Sequence, residues 1–188
     1  MSGRERRIFG GVAVASLVVA LLLGSVARGT GGAAITLLLG SLAMSPLSRV
    51  LPPTWALASR TVRRRLGIAS AAVAIGHALF AFPTYLDPLV LGPITALPWL
   101  RHGFLALGIL CALLVTSFPV LQRALRVKAW SSLHRLAYVA AALASLHALA
   151  VPFGSIRVGI VALSVTALLL VARPLTWALR RRVAPDPE

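Results

Sequence analysis

Two histidines stand in the middle of long apolar runs, His77 in AAVAIGHALFA and His147 in AAALASLHALA. An ionisable side chain at membrane depth is costly, so it marks a site or a pathway and needs a named partner. His77 follows Arg65 by twelve residues, and His147 follows Arg135 by twelve. On helices this puts both imidazoles about 18 Å from the nearest basic edge. A proline comes soon after each, Pro83 after His77 and Pro152 after His147. Two helices running in the same direction thus carry imidazoles at one level, among alanines and glycines that leave room for something flat and wide. Two neutral imidazoles from separate helices suggest b-type heme, whose macrocycle is apolar and whose iron takes axial ligands from the protein. Zinc would want four ligands, commonly including Cys or carboxylate, and nothing at this depth supplies them. Histidines hydrogen-bonded across helices, and a proton or ion pathway, are the competing readings of the same spacing.

A third histidine, His134, comes thirteen residues before His147, beside Arg135 and four residues after Trp130. It lies about 20 Å below His147 and, at 100° per residue, about 140° away in azimuth. The two cannot both face one seam of a straight helix. Fourteen residues before His77, the same inner level holds Arg63, so an inner site has one imidazole with a guanidinium opposite it. Tyr138, one turn above His134, either lines that site or simply packs. Arg135 at the inner face, or Arg101 and Arg157 at the outer, could meet the carboxylates of a cofactor. His102 reads as a solvated interface residue, Cys111 as a small core residue, and Trp99 and Trp130 as interfacial belt residues. Thr116 and Ser117 read as groups that satisfy backbone carbonyls.

The elements that must position these residues are membrane helices. The 188 residues are 59% hydrophobic and 12% charged, with a mean hydropathy of +0.90, outside the range of a soluble domain. Charge-free intervals at 8–27, 29–48, 66–86, 102–122 and 136–156 each match the ~20 residues that cross a hydrocarbon core. A shorter sixth, 158–172, spans if Arg157 snorkels. The expected fold is all-α, a single domain over 1–188, with six transmembrane helices near 8–27, 30–50, 64–86, 101–120, 132–151 and 155–175. The proline-punctuated stretch 88–100 reads as an interfacial or re-entrant loop. The RERR start and GSVA end of the first segment resemble a secretory signal, but its 20-residue apolar run favours a retained anchor.

Assigning the 19 Lys and Arg to alternate sides leaves only Arg28, Arg101 and Arg157 on one of them. The positive-inside rule then puts both termini and the basic segments in the cytoplasm. The net charge of +15 is therefore topology, with anionic lipid rather than nucleic acid as counterion. No glycine-rich phosphate loop leaves room for a nucleotide-binding unit.

Several stretches together resemble the ferric-reductase-like transmembrane family. They are TGGAAITLLLGSLAMSPLSR, RRRLGIASAAVAIGH, LVTS and WSSLHRLAYVAAALASLH, over roughly residues 30 to 155. Within it, the chain is most similar to the MsrQ (YedZ) family of heme-binding membrane subunits of bacterial protein-methionine-sulfoxide reductase systems. The resemblance implies a six-helix bundle of the bacterial inner membrane that carries one or two b-type hemes. Electrons would pass from a cytoplasmic-side donor, quinol or a flavin reductase, to a periplasmic molybdenum-containing catalytic subunit that reduces oxidised methionine. Carried over by position, His77 and His147 ligate an outer heme, and His134 ligates an inner heme with Arg63 nearby. The larger relatives have a second histidine where Arg63 stands and a fused flavin and nucleotide domain, and this chain has neither. An association with FMN is also implied, though no motif locates a site. On this reading the chain is an electron-transfer subunit rather than a stand-alone catalyst. A ferric or quinone reductase of the same fold, or a cofactor-free transporter, is the alternative.

Overall fold

The computed structural model describes residues 2–22, 25–85, 96–152 and 154–183, without the side chains of Arg173 and 177–183. All elements among these residues are helices: α1 Gly3–Leu22, α2 Val26–Val50, α3 Pro53–Tyr85, α4 Pro98–Val115, the short α5 Pro119–Ala124, α6 Val127–Ala150 and α7 Ile156–Val183. Five of them are long and apolar enough to cross a membrane, namely α2, α3, α4, α6 and the Ile156–Thr176 part of α7. Large apolar side chains cover the outside of the bundle, with Leu79 72% and Leu168 66% exposed, as a lipid-facing surface requires. The 20 residues of α1 include Arg4, Glu5, Arg6 and Arg7 near its start.

Cross-helix contacts fix an up-and-down order. Gly29 lies against Ala20 and Gly40 against Val12, so α1 and α2 are antiparallel. Ser70 Oγ donates to the Ala34 carbonyl and Ser41 Oγ to the Arg63 carbonyl, each at 2.9 Å, tying α3 antiparallel to α2 at two levels. Trp130 Nε1 donates to the Thr116 carbonyl at 3.2 Å, joining the start of α6 to the end of α4. Arg49 reaches Thr176 of α7 at 3.2 Å.

Helix ends differ from the charge-free intervals for a physical reason. A charge ends the stretch that can sit in hydrocarbon, not the helix, because arginine is a good helix former whose guanidinium reaches the interface. Thus α3 starts at Pro53 rather than 64 and α6 at Val127 rather than 132. The 33 residues of α3 extend about 50 Å, and only Leu51 and Pro52 separate it from α2. Conversely, α4 ends at Val115 rather than 120, since Pro119 cannot continue the ladder and opens α5 instead. Arg28 lies in the first turn of α2, not between helices. The expected loop at 88–100 lies mostly outside the described residues, and its last three open α4.

The two halves of the bundle pack differently. Toward the arginine-rich end the interior is filled: Leu42, Val62, Leu66 and Ser59 are all 1% exposed or less. Tyr138, Leu110, Ala140 and Ala141 join Leu38 and Leu42 in one buried cluster at mid-depth. The arginine-poor half is hollow, which follows from the alanines and glycines around His77 and His147.

Ser70 is wholly buried and tests the α2–α3 seam. Ser70→Ala removes one interhelical hydrogen bond and should destabilise the detergent-solubilised protein by about 0.6 to 1.7 kcal/mol. Ser70→Leu should do far more by forcing the helices apart. Thermal unfolding in detergent measures both, and equal effects would mean the seam is loosely packed.

Candidate functional site

α3 and α6 bring His77 and His147 together, with ring centroids 6.4 Å apart and planes inclined at 74°. Each ring is held by a neighbouring helix. His147 Nδ1 is 2.8 Å from the Trp99 carbonyl at the start of α4. A carbonyl can only accept, so the proton is on Nδ1 and the Nε2 lone pair is left free. His77 Nδ1 is 3.2 Å from Thr30 Oγ1, whose own hydrogen goes to the Val26 carbonyl at 2.7 Å. Thr30 therefore accepts from His77 Nδ1–H. The hydrogen-bond network thus assigns both imidazoles the tautomer that a metal ligand needs.

The two supports share one local construction. Gly31 stands next to Thr30, and Gly103 four residues after Trp99. Both glycines leave the side of the helix bare where the histidine ring approaches. A Cβ at Gly103 would lie 2.8 Å from His147 Nδ1, and one at Gly31 would lie 3.2 Å from His77 Cε1. Trp99 also tilts its indole toward His147, with centroids 6.1 Å apart.

Both histidines line a cavity of about 1190 Å³ that reaches inward to Leu38, Ser70 and Leu110 and outward to Arg28, Tyr85 and Ser155. Its walls are mostly apolar and aromatic, including Phe82 and Phe104 in an edge-to-face pair at 6.1 Å. Two imidazoles sharing one metal ion through Nε2 have ring centres roughly 6.3 Å apart, given metal–nitrogen distances of ~2.0–2.1 Å. The observed separation, the free Nε2 lone pairs and the wide apolar cavity fit a flat macrocycle with a metal at its centre. Among the described residues, no three His, Cys, Asp or Glu side chains cluster as an all-protein metal site would need.

The residues of the expected inner site are arranged otherwise. His134 stacks on Trp130 with centroids 4.1 Å apart, and Arg63 is near enough to interact with it electrostatically. His134 Nε2 is buried and makes no hydrogen bond. Tyr138 is buried in the core cluster, while Arg135 is exposed and donates to Ser132 Oγ at 2.7 Å. None of these four lines the large cavity. His134 and His147 face different surroundings, as their azimuths require.

A profile of the family described as ferric reductase like transmembrane component matches residues 9–145. The chain belongs to this family. Similar proteins include the protein-methionine-sulfoxide reductase heme-binding subunit MsrQ of Deinococcus radiodurans, 39% identical over 124 residues, covering 63% of this chain and 58% of that protein. The subunits of the same name from Ralstonia nicotianae and Cronobacter sakazakii are 33% and 35% identical, covering 65% and 63% of this chain and 56% and 59% of theirs. The chain thus spans less than three-fifths of the length of these relatives.

For a member of the ferric reductase like family, spacing exposed the imidazoles but not their supports. Thr30, Gly31, Gly103 and the Trp99 carbonyl are legible in the sequence only as composition, and Trp99, at the start of α4, is also a wall of the site. Arg101 and Arg157 are exposed and do not line the cavity, whereas Arg28 does. The available signal was the depth of RGTGG on helix two, which brings Arg28 and Thr30 to the outer edge of the histidine level. His102 is half-buried, with its Nδ1 buried and making no hydrogen bond. Thr116 and Ser117 do satisfy carbonyls, those of Ala112 and Leu113 at 2.8 and 2.7 Å.

Gly103→Ala should displace the His147 ring and weaken uptake of added iron protoporphyrin by the purified protein. Gly108→Ala, on the same helix where a Cβ would meet nothing within 4 Å, should leave it unchanged. The ratio of Soret to protein absorbance of the purified variants measures this, and equal loss in both would mean that Gly103 is not the support described.

Proposed function

We propose that this chain is a heme-carrying electron-transfer subunit of the bacterial inner membrane. It crosses the membrane six times, α1 included, with both termini cytoplasmic, and holds one b-type heme between His77 and His147. The single observation that carries this reading is the pair of imidazoles 6.4 Å apart with Nδ1 occupied on both at the wall of a cavity of about 1190 Å³. Bound there, heme would supply a one-electron carrier within the membrane. The protein's part is to fix both rings, exclude water with apolar walls, and tune ligand basicity through the Thr30 and Trp99 acceptors.

The proposed acceptor is a periplasmic methionine-sulfoxide reductase subunit carrying molybdenum, in keeping with the names of the relatives and the sequence resemblance. The proposed donor, quinol or a flavin reductase, delivers electrons at the arginine-rich end, where His134, Arg63 and Trp130 meet. The proposal has one heme, because His134 does not line the cavity that His77 and His147 share. The proposed cofactor is heme, in keeping with the relatives' names.

Reduced-minus-oxidised spectra of purified membranes test this. A low-spin, six-coordinate b-type spectrum is expected, and a colourless protein under full heme supply would sink the proposal in favour of a cofactor-free pathway. His77→Ala and His147→Ala should each remove that spectrum or convert it to high spin, and the double variant should add little, because both ligate one iron. His134→Ala should keep the low-spin signal but slow reduction by the cytoplasmic-side donor. Loss of the signal in His134→Ala, with His77→Ala spared, would reverse the assignment.

A further inference from the structure

Of the described residues that line the cavity, only Arg28 is a lysine or arginine. Its Nε donates to Ser25 Oγ at 3.0 Å, which holds the side chain back against the first turn of α2 and leaves the four η hydrogens of the guanidinium for other acceptors. Ser25 is also the N-cap of α2 and lines the cavity, as does Ser155 just before α7. The positive ends of two helices therefore add to the same potential. An anion is thus favoured at this mouth and strongly disfavoured deeper, where the walls are Leu38, Leu110 and alanines.

We propose that Arg28, held by Ser25, is the binding site for the carboxylate groups of the porphyrin. It orients the macrocycle with its carboxylates at the arginine-poor mouth and its apolar edge toward Leu38 and Leu110. The proposal rests on the heme reading above and replaces Arg101 and Arg157 as the cations of the outer site. A guanidinium suits this task, because its planar fork can pair with a carboxylate through two hydrogen bonds.

The test titrates the full-length apoprotein, expressed under heme limitation, with iron protoporphyrin and separately with its dimethyl ester, which carries no carboxylate charge. Arg28→Gln should weaken binding of iron protoporphyrin about tenfold, the lower end for a charge-assisted hydrogen bond, and Arg28→Lys should restore part of it. Both variants should bind the dimethyl ester as the unmodified chain does, and Arg101→Gln should change neither. Arg28→Gln should also lower the midpoint potential of the bound heme, since removing a nearby cation favours the ferric form. If Arg28→Gln weakens both porphyrins equally, Arg28 acts only by shaping the bundle and the proposal is overturned. It is overturned likewise if Arg28→Gln weakens neither. If the unmodified chain gives no six-coordinate spectrum with either porphyrin, the heme reading itself has failed, and that result is distinct from an Arg28 effect.

Discussion

The arrangement depends on where two hydrogens go. An imidazole within an apolar bundle has one N–H to donate and one lone pair to offer, and an unpaired donor at that depth costs as much as a lost hydrogen bond. In this chain both Nδ1–H groups are accepted from the side by neighbouring helices, at Trp99 for His147 and at Thr30 for His77. The Trp99 carbonyl, already bonded along its own helix, still has a second lone pair, and a side chain at Gly103 would crowd the ring approaching it. Gly31, next to Thr30, likewise leaves room for the His77 ring. The free lone pairs, the matched depth and the open space between the rings follow from this one requirement.

The asymmetry of packing along the bundle follows from the same demand. Small residues on transmembrane helices usually let backbones close on each other, as they do where Gly29 meets Ala20. Around the histidines they have a different result, because the rings and the indole of Trp99 hold the helices apart and leave the hollow between them. Toward the arginine-rich end, leucine and valine at equivalent depth fill the interior, as Leu42, Val62 and Leu66 do.

Much of this was legible in the sequence, and the parts that were not share a cause. The helical class, the crossing segments and the pairing of His77 with His147 by depth all depend on one-dimensional spacing, which a straight helix translates directly into height. Helix ends were misplaced because charge marks the edge of the hydrocarbon rather than the end of the hydrogen-bond ladder, as Arg60 and Arg63 inside α3 demonstrate. The supports were invisible because a glycine that accommodates a ring looks the same in sequence as one that tightens a helix crossing. Arg28 lies one residue past a charge-free interval and so reads as a boundary, whereas the structure also makes it part of the cavity wall.

Holding two rings at a set separation also requires that the helices bearing them not slide. Each imidazole-bearing helix is fastened to its acceptor helix at separated levels. α3 is tied to α2 through Ser70 and Ser41 and meets it again at Thr30. α6 is tied to α4 at Trp99 near one end and at Thr116, through Trp130, near the other. A helix pinned at two heights cannot translate along its neighbour without breaking at least one bond, so each pair moves as a unit. The two pairs meet in the buried cluster of Leu38, Leu42, Ala71, Leu110, Tyr138, Ala140 and Ala141, just inward of the histidines, so the separation of His77 and His147 is set by this packing as well as by the bonds along each pair.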